Sequence, residues 1–189
     1  MRIYPNKIES FLRDPGPDVS AVLVFGPDRG LVRERLAQLL KSTAGDPEDP
    51  FRLARLAASR VIEDPRCLYD EAAALPLTGG RRVVVIDETG DELADTFSDF
   101  LTDAVVDSLV LVGSGDLPPR SRLRQLFERA RRAAALPCYP DDERSLRRLI
   151  GQYLGDASVT ADSQAVAYLA ANLGGDRELV RRELEKLAL

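Results

Sequence analysis

Residues 21–30 read AVLVFGPDRG, and this stretch decides the fold of the chain. Five consecutive apolar residues lead into a turn that contains Gly26 and Gly30, and apolar residues then recur with the spacing of a helix from Val32 to Leu40. An unbroken apolar run is typical of a strand that is buried on both faces of a parallel sheet. The stretch therefore predicts a strand, a glycine turn and a helix in direct succession.

The same alternation continues along the chain. Further strand-like runs occur at Phe51–Leu56, Arg82–Asp87, Ser108–Val112 and Ala133–Cys138. Helical patterns lie between them at Leu93–Leu101, at Leu123–Ala130 with Ser121 as the N-cap, and from Asp64-Pro65, with the proline at the first helical position. Strands that alternate with helices predict an α/β fold, here a five-stranded parallel sheet flanked by helices over residues 1–140.

From about residue 141 the pattern is helical only. Apolar positions form three short stripes, at Leu146–Leu154, at Val166–Leu173 with Gly174-Gly175 closing the helix, and at Val180–Leu187. Such helices bury their apolar sides against one another, so we expect a small three-helix domain over residues 141–189. The last helix reaches Leu189 without a capping glycine, and we expect a further domain to follow in the whole protein.

The composition excludes several kinds of catalytic and metal-binding site. The 189 residues include no histidine, which excludes Ser-His-Asp and Cys-His catalysis and any imidazole ligand. Cys67 and Cys138 are too few for a four-thiolate zinc site; we expect two buried free thiols, with a disulfide as the alternative.

The net charge of −5 argues against nucleic-acid binding through the overall electrostatic field of the protein. Since no apolar run approaches roughly 20 residues and no signal peptide opens the chain, we expect a cytoplasmic protein that does not contact membranes.

The turn after the first strand resembles a phosphate-binding loop but lacks its chemistry. A P-loop has the pattern GxxxxGK[ST], whereas here the glycines are one residue closer together and Gly30 is followed by Leu31 and Val32. Without the lysine nothing reaches the β- and γ-phosphates, and without the hydroxyl nothing holds Mg²⁺. Two acids, Asp87 and Glu88, end the third strand, as in ATPases. We interpret Gly26, Gly30, Asp87 and Glu88 as a degenerate nucleotide site and expect no cofactor.

Two other segments are candidate binding surfaces. The helix over residues 121–132 carries Arg122, Arg124 and Arg129, which could contact DNA phosphates; the alternative is a solvated face on which Glu128 pairs with arginines one turn away. The loop Leu75–Gly80 places leucines next to glycines. It is either a plug for an apolar pocket of a partner or a cap on the core, and the composition does not decide between them.

Taken together, the chain resembles the delta-subunit family of bacterial DNA polymerase III clamp loaders, which are AAA+-like proteins. The resemblance rests on VLVFGPDRGLVRERL (Val22–Leu36), ALPLTGGRRVVVIDE (Ala74–Glu88), LRQLFERARRAAALPCY (Leu123–Tyr139), SLRRLI (Ser145–Ile150) and LGGDRELVRRELEKLAL (Leu173–Leu189). These segments follow one another in order along the whole chain. The family combines an AAA+-like domain, a three-helix lid and a helical collar, so the resemblance implies the first two here and a missing collar.

The resemblance also implies a function. Members of the family are non-catalytic subunits of the DNA polymerase III holoenzyme, a nucleotidyltransferase complex; they bind the ring-shaped sliding clamp, the beta subunit, and favour its opening for loading onto primed DNA. The implied further partners are the ATPase and delta-prime-type subunits, contacted mainly through the collar, and primed DNA within the assembled complex.

The resemblance assigns clamp binding to the loop before the third strand. By position the plug residues are Leu75, Leu77 and Thr78, with Pro76 among them. Relatives often have an aromatic residue at the position of Thr78, and its absence shifts the contact toward Leu77 and Pro76. Two alternatives stay open: an active AAA+ ATPase that uses Asp87 and Glu88, and a DNA-binding module that uses the arginine helix.

Overall fold

A computed structural model of the chain describes residues 1–45, 49–76, 79–103, 107–139, 143–157, 159–173 and 177–187. These residues form two compact units. The first comprises Met1–Gly26 and Val32–Cys138, and the second comprises Pro27–Leu31 and Tyr139–Leu189. In the described ranges, no helix has both the length and the apolar character needed to cross a membrane.

The first unit is built on a five-stranded parallel sheet, which confirms the predicted fold class. Its strands are β1 (Ala21–Phe25), β2 (Leu53–Ala57), β3 (Val83–Thr89), β4 (Leu109–Ser114) and β5 (Ala133–Pro137). They lie in the order β2-β3-β4-β1-β5, and every residue of β1, β4 and β5 is buried. The first strand has the predicted bounds, and the others differ from the prediction by one or two residues at one or both ends.

One of the two-residue differences lies at the start of β2, which was expected to begin at Phe51. Phe51 and Arg52 instead belong to a turn, because the Asp49 side chain accepts a hydrogen bond from the Phe51 amide at 2.8 Å. The Asp49 carbonyl accepts further bonds from the amides of Arg52 and Leu53. Asp49 therefore delays the strand until Leu53, in the manner of an Asx turn.

Helices cover both faces of the sheet. They are α1 (Ile8–Arg13), α2 (Arg29–Ala44), α3 (Ala58–Glu63), α4 (Arg66–Ala73), α5 (Ala94–Asp103) and α6 (Arg122–Arg129). The sequence pattern predicted neither α1 nor α3, each of six residues. Pro65 occupies the N-cap position of α4, one residue before the predicted place. Its fixed φ suits either position.

The larger part of the core packs under α3 to α6. Phe97 of α5 makes edge-to-face contacts with Phe127 of α6, at 5.3 Å between ring centroids, and with Phe100, at 6.2 Å. Tyr69 of α4 packs on Phe100 in the same geometry at 5.4 Å. Each fully buried aromatic side chain stabilises the fold by about 1.5–3 kcal/mol. These rings therefore join three helices to the sheet.

The end of β1 closely approaches the end of β5. The Cys138 amide donates a hydrogen bond to the Phe25 carbonyl at 2.6 Å, and the Gly26 amide donates to the Gly115 carbonyl at 3.0 Å. A β-carbon at Gly26 would lie 1.9 Å from the Cys138 carbonyl oxygen, well inside van der Waals contact. Glycine at position 26 is thus required by backbone packing.

The amino end of α6 is capped twice. Ser121 is the N-cap, as predicted, and its Oγ accepts a hydrogen bond from the Arg124 amide at 3.1 Å. Asp91, thirty residues upstream, accepts through Oδ1 from the Ser121 hydroxyl at 2.5 Å and from the Leu123 amide at 3.0 Å. These hydrogen bonds, first of all the one from Ser121, hold the pKa of Asp91 below its ordinary value.

The second unit contains α7 (Glu143–Asp156), α8 (Ser163–Leu173) and α9 (Arg177–Leu187). Its core consists of Leu146, Ile150, Leu154, Ala170, Val180 and Leu184. The three predicted amphipathic helices are therefore present and pack on one another. Leu187 departs from the prediction because its side chain is exposed. The expected closing pair Gly174-Gly175 lies outside the described residues.

The contact at Gly26 makes a steric prediction. We expect Gly26→Ala to destabilise the fold by about 2–4 kcal/mol, because the added methyl group forces the ends of β1 and β5 apart. Gly115→Ala is the matched control: a β-carbon there meets nothing within 4 Å, so its stability should stay within about 0.5 kcal/mol of the parent. Urea denaturation measures both, and equal stability of the two variants would contradict the packing argument.

The capping by Asp91 makes a pH prediction. A lowered folded-state pKa stabilises the protein above the unfolded pKa of about 3.9, and this contribution is lost as the pH falls through the folded value. We expect Asp91→Asn to lower the free energy of unfolding by about 1 kcal/mol at pH 7, and the difference from the parent to shrink below about pH 4.

Denaturation curves at several pH values test this expectation. Asp95→Asn is the control, because it removes only an exposed ion pair with Arg122 and should cost less than about 0.5 kcal/mol. A deficit of Asp91→Asn that stays constant down to acidic pH would show that the charge of Asp91 does not contribute.

Candidate functional site

The candidate residues of the first unit lie at opposite edges of its sheet. All strands of a parallel sheet begin at one edge and end at the other. Gly26, Asp87 and Glu88 lie at the carboxyl ends of β1 and β3, whereas the loop that begins at Leu75 precedes β3 at the amino edge. Since Asp87 is the fifth residue of β3, roughly 13 Å of strand separate it from Val83, where the loop ends.

At the amino end of α2 a carboxylate of the protein occupies the position where a bound phosphate would lie. Asp28 is buried, and its Oδ1 accepts a hydrogen bond from the Leu31 amide at 2.9 Å. The amides of the first helical turn are the groups that would bind a phosphate, and a buried carboxylate among them disfavours a second anion. The sequence pattern placed Gly30 in the turn, but α2 begins at Arg29, so Gly30 lies within the helix. The preference of aspartate for the N-cap position is the sequence signal that indicates this start of α2 after Asp28.

The two acids near the end of β3 lie on a bulge. The register between β3 and β4 shifts between Ile86 and Thr89, and Glu88 has a φ of 58°, in the left-handed region. The hydroxyl of Thr89 donates to the Gly113 carbonyl at 3.0 Å, and that of Ser114 donates to the Thr89 carbonyl at 2.5 Å. These two bonds hold the backbone in a conformation that is unfavourable for glutamate.

Both acids of this pair are exposed to solvent. Asp87 forms an ion pair with Arg55 at 3.8 Å, and both of its members are more than half exposed, so it contributes little to stability. Within the ranges that the structure describes, no group of three or more acidic, cysteine or histidine side chains is arranged to hold a metal ion. The described geometry therefore brings Asp87 close to a cation of the protein itself.

The helix proposed for DNA contacts does not present the predicted row of arginines. Arg124 is only 6% exposed, and it was wrongly predicted to lie on a solvated face. Its Nε pairs with Glu128 at 3.0 Å, its Nη1 donates to the Leu117 carbonyl at 3.0 Å, and its guanidinium lies 5.0 Å from the centroid of the Phe25 ring. This interior position excludes a phosphate contact by Arg124, although the predicted i,i+4 pair with Glu128 is present.

The two other arginines of this helix, Arg122 and Arg129, are exposed. Arg122 forms an ion pair with Asp95 of α5, so part of its charge is already neutralised. The surface over α6 thus offers fewer cations than the sequence indicated.

The loop at the amino edge carries the most exposed apolar side chain described in the chain. Leu75 follows the end of α4 by two residues and is 82% exposed, and Pro76 after it is half-buried. Leu77 and Thr78, the other predicted plug residues, lie outside the described residues. The exposure of Leu75 excludes the reading in which this leucine caps the core.

Arg81 anchors the downstream end of this loop. Its guanidinium donates to four backbone carbonyls, those of Asp107 at 2.7 Å, Gly16 at 3.0 Å, Ser108 at 3.4 Å, and Val19. Burial lowers the pKa of Arg81. Because these carbonyls precede β1 and β4, one side chain joins the amino ends of three neighbouring strands.

Arg82 anchors the upstream end. It donates to the Glu71 carbonyl at 3.1 Å and pairs with the Glu71 carboxylate at 2.5 Å, which ties β3 to the last turns of α4. Sequence analysis assigned neither arginine a role. An Arg-Arg pair directly before a buried strand was the available signal, but only the fold shows which carbonyls it meets.

No family model matches the chain. A probable DNA polymerase III subunit delta from Rickettsia prowazekii is 26% identical over 171 residues, which cover 89% of this chain and 50% of that protein. The chain thus spans about half the length of the curated relative that it matches.

Solved structures show the same fold. The DNA clamp loader delta protein of Bacillus subtilis superimposes with a TM-score of 0.64 at 15% identity, covering 97% of this chain and 56% of that one. Thermotoga maritima RuvB gives 0.59 at 16% identity, with 96% and 58% covered. Domain III of Thermotoga maritima DnaA gives 0.57 at 14% identity, with 98% and 84% covered.

The structural matches show that the fold is AAA+-like, as the resemblance implied. The match by sequence is to a probable DNA polymerase III subunit delta, and one of the structural matches is to a DNA clamp loader delta protein. The chain is therefore similar in sequence to one delta subunit and similar in fold to another.

Proposed function

We propose that this chain is the part of a clamp-loader subunit that binds the sliding clamp through the loop around Leu75. The observation that carries the proposal is the 82% exposure of Leu75 on a loop whose two ends are anchored by Arg81 and Arg82. Single exposed leucines occur on many soluble proteins, but an apolar side chain held on anchored backbone is the kind of group that fills a pocket on a partner.

The anchored backbone favours such a contact energetically. Transfer of a leucine side chain from water into an apolar pocket is worth about 1.5–3 kcal/mol. A loop whose ends are already fixed loses less conformational entropy when it binds, so more of this free energy appears as affinity. Pro76 restricts the backbone after Leu75 in the same sense. By the resemblance, Leu77 and Thr78 belong to the same plug.

The proposed action on the clamp is a shift of its ring-opening equilibrium. A partner shifts an equilibrium only by the difference between its affinities for the two states. The subunit would therefore bind the open or strained ring more tightly than the closed one and so favour loading onto primed DNA. Assembly with the ATPase and delta-prime-type subunits would use the collar domain that the resemblance implies.

Within this proposal, residues 1–140 act as the AAA+-like domain, residues 141–189 act as the lid, and the protein works in the cytoplasm.

We propose further that the chain does not hydrolyse ATP. The buried Asp28 carboxylate caps the helix at which a phosphate would bind, and Leu31 and Val32 stand where a P-loop has lysine and a hydroxyl. The interior position of Arg124 likewise weakens the DNA-binding alternative.

The docking role of Leu75 is tested by its truncation. We expect Leu75→Ala to weaken binding to the cognate sliding clamp by about ten- to a hundredfold in calorimetric titrations without nucleotide, because the pocket loses its apolar occupant. Leu187→Ala is the control: this leucine is 55% exposed on α9, and its loss should leave the affinity unchanged. An unchanged affinity of Leu75→Ala would refute the assignment.

The lack of ATPase activity is tested directly. Titration with Mg²⁺ and ATP up to millimolar concentration should give no saturable heat and no phosphate release, because Leu31 stands where a P-loop lysine would reach the terminal phosphates. A P-loop ATPase in the same buffer verifies the assay. Saturable binding or steady turnover would favour the AAA+ ATPase alternative.

A further inference from the structure

A second exposed apolar side chain lies at the same edge of the sheet as Leu75. Phe51 is 49% exposed and precedes β2 by two residues. Strands β2 and β3 are parallel neighbours in which Leu53 pairs with Val83, so Phe51 lies level with Arg81, at the foot of the Leu75 loop. A large exposed aromatic ring on an ordered turn has no role in the core.

One guanidinium links the backbone of Phe51 to that of the loop. Arg82 Nη1 donates to the Phe51 carbonyl at 2.8 Å, and Arg82 Nε donates to the Glu71 carbonyl at 3.1 Å. Glu71 precedes Leu75 by one helical turn. Since both carbonyls accept from a single planar group, the Phe51 turn and the end of α4 are held side by side.

The neighbour of Phe51 makes a second link. The guanidinium carbon of Arg52 lies 3.1 Å from the place that a β-carbon of Gly80 would occupy, and Gly80 has a φ of +81°. On the other side, the Phe51 amide donates to the Asp49 carboxylate at 2.8 Å. The backbone of Phe51 is therefore fixed from both directions, while its ring faces solvent.

We infer that Phe51 is a second anchor for the sliding clamp, contacting it beside Leu75; this inference rests on the proposed function. Of the arginines next to the two apolar side chains, Arg82 pairs with Glu71 and Arg52 pairs with Asp49, and Arg81 donates to backbone carbonyls. The clamp therefore needs an apolar pocket with a second apolar surface beside it. It needs no charge that complements these arginines. Aromatic side chains are enriched among the residues that dominate such contacts.

Titration with the cognate sliding clamp tests the inference. We expect Phe51→Ala to weaken binding about tenfold, with an unchanged melting temperature by circular dichroism. Ile62→Ala is the matched control, since Ile62 is also 49% exposed but lies on α3, which packs near the carboxyl end of β3. It should bind like the parent, and Leu75→Ala should lose affinity.

The outcomes separate the inference from the function on which it rests. If Leu75→Ala loses affinity and Phe51→Ala does not, the inference is wrong and the proposed function stands. If Phe51→Ala and Ile62→Ala lose affinity equally, the effect of Phe51 is not local and the inference is again wrong. If the parent does not bind the clamp, both the proposed function and the inference fail.

Discussion

The burial of β1 is the constraint on which the first unit depends. All five of its residues are buried, and its backbone is paired on one side with β4 and on the other with β5. A buried strand must satisfy every amide and carbonyl within the protein, so its neighbours must run alongside in register. The same demand extends past its end, where the Cys138 amide bonds to Phe25 and leaves no room for a side chain at position 26.

The two edges of this sheet have different surface chemistry. At the carboxyl edge, Asp87 pairs with Arg55, and the Thr89 and Ser114 hydroxyls hold the bulge by bonds to backbone carbonyls. At the amino edge, partly buried arginines bond to carbonyls and hold ordered backbone from which apolar side chains project. Polar groups that satisfy one another offer little to a ligand, whereas a supported apolar side chain gains free energy only when a partner covers it.

Sequence patterning predicted the strands and most helices because buried aliphatic runs and helical periodicity are local signals. It also predicted Ser121 as a cap, since the preference of serine for that position is local. It did not predict the bond from Asp91 to the same helix end, which joins residues thirty positions apart. It placed Arg124 in solvent, because a charged residue is rarely buried unless its hydrogen bonds are satisfied, and its partners Leu117 and Phe25 are brought to it only by folding.

The sequence by itself determined the strands and most of the helices, the absence of a P-loop lysine and hydroxyl after Gly30, and the apolar character of the Leu75 loop, because each depends on neighbouring residues. Only the tertiary structure decided that Leu75 projects into solvent and that Gly26 serves a backbone contact. It also decided that Arg81 and Arg82 fix the edge from which Leu75 and Phe51 project. The physical reason is that exposure and hydrogen-bond partners depend on which distant segments meet, and a local pattern does not contain that information.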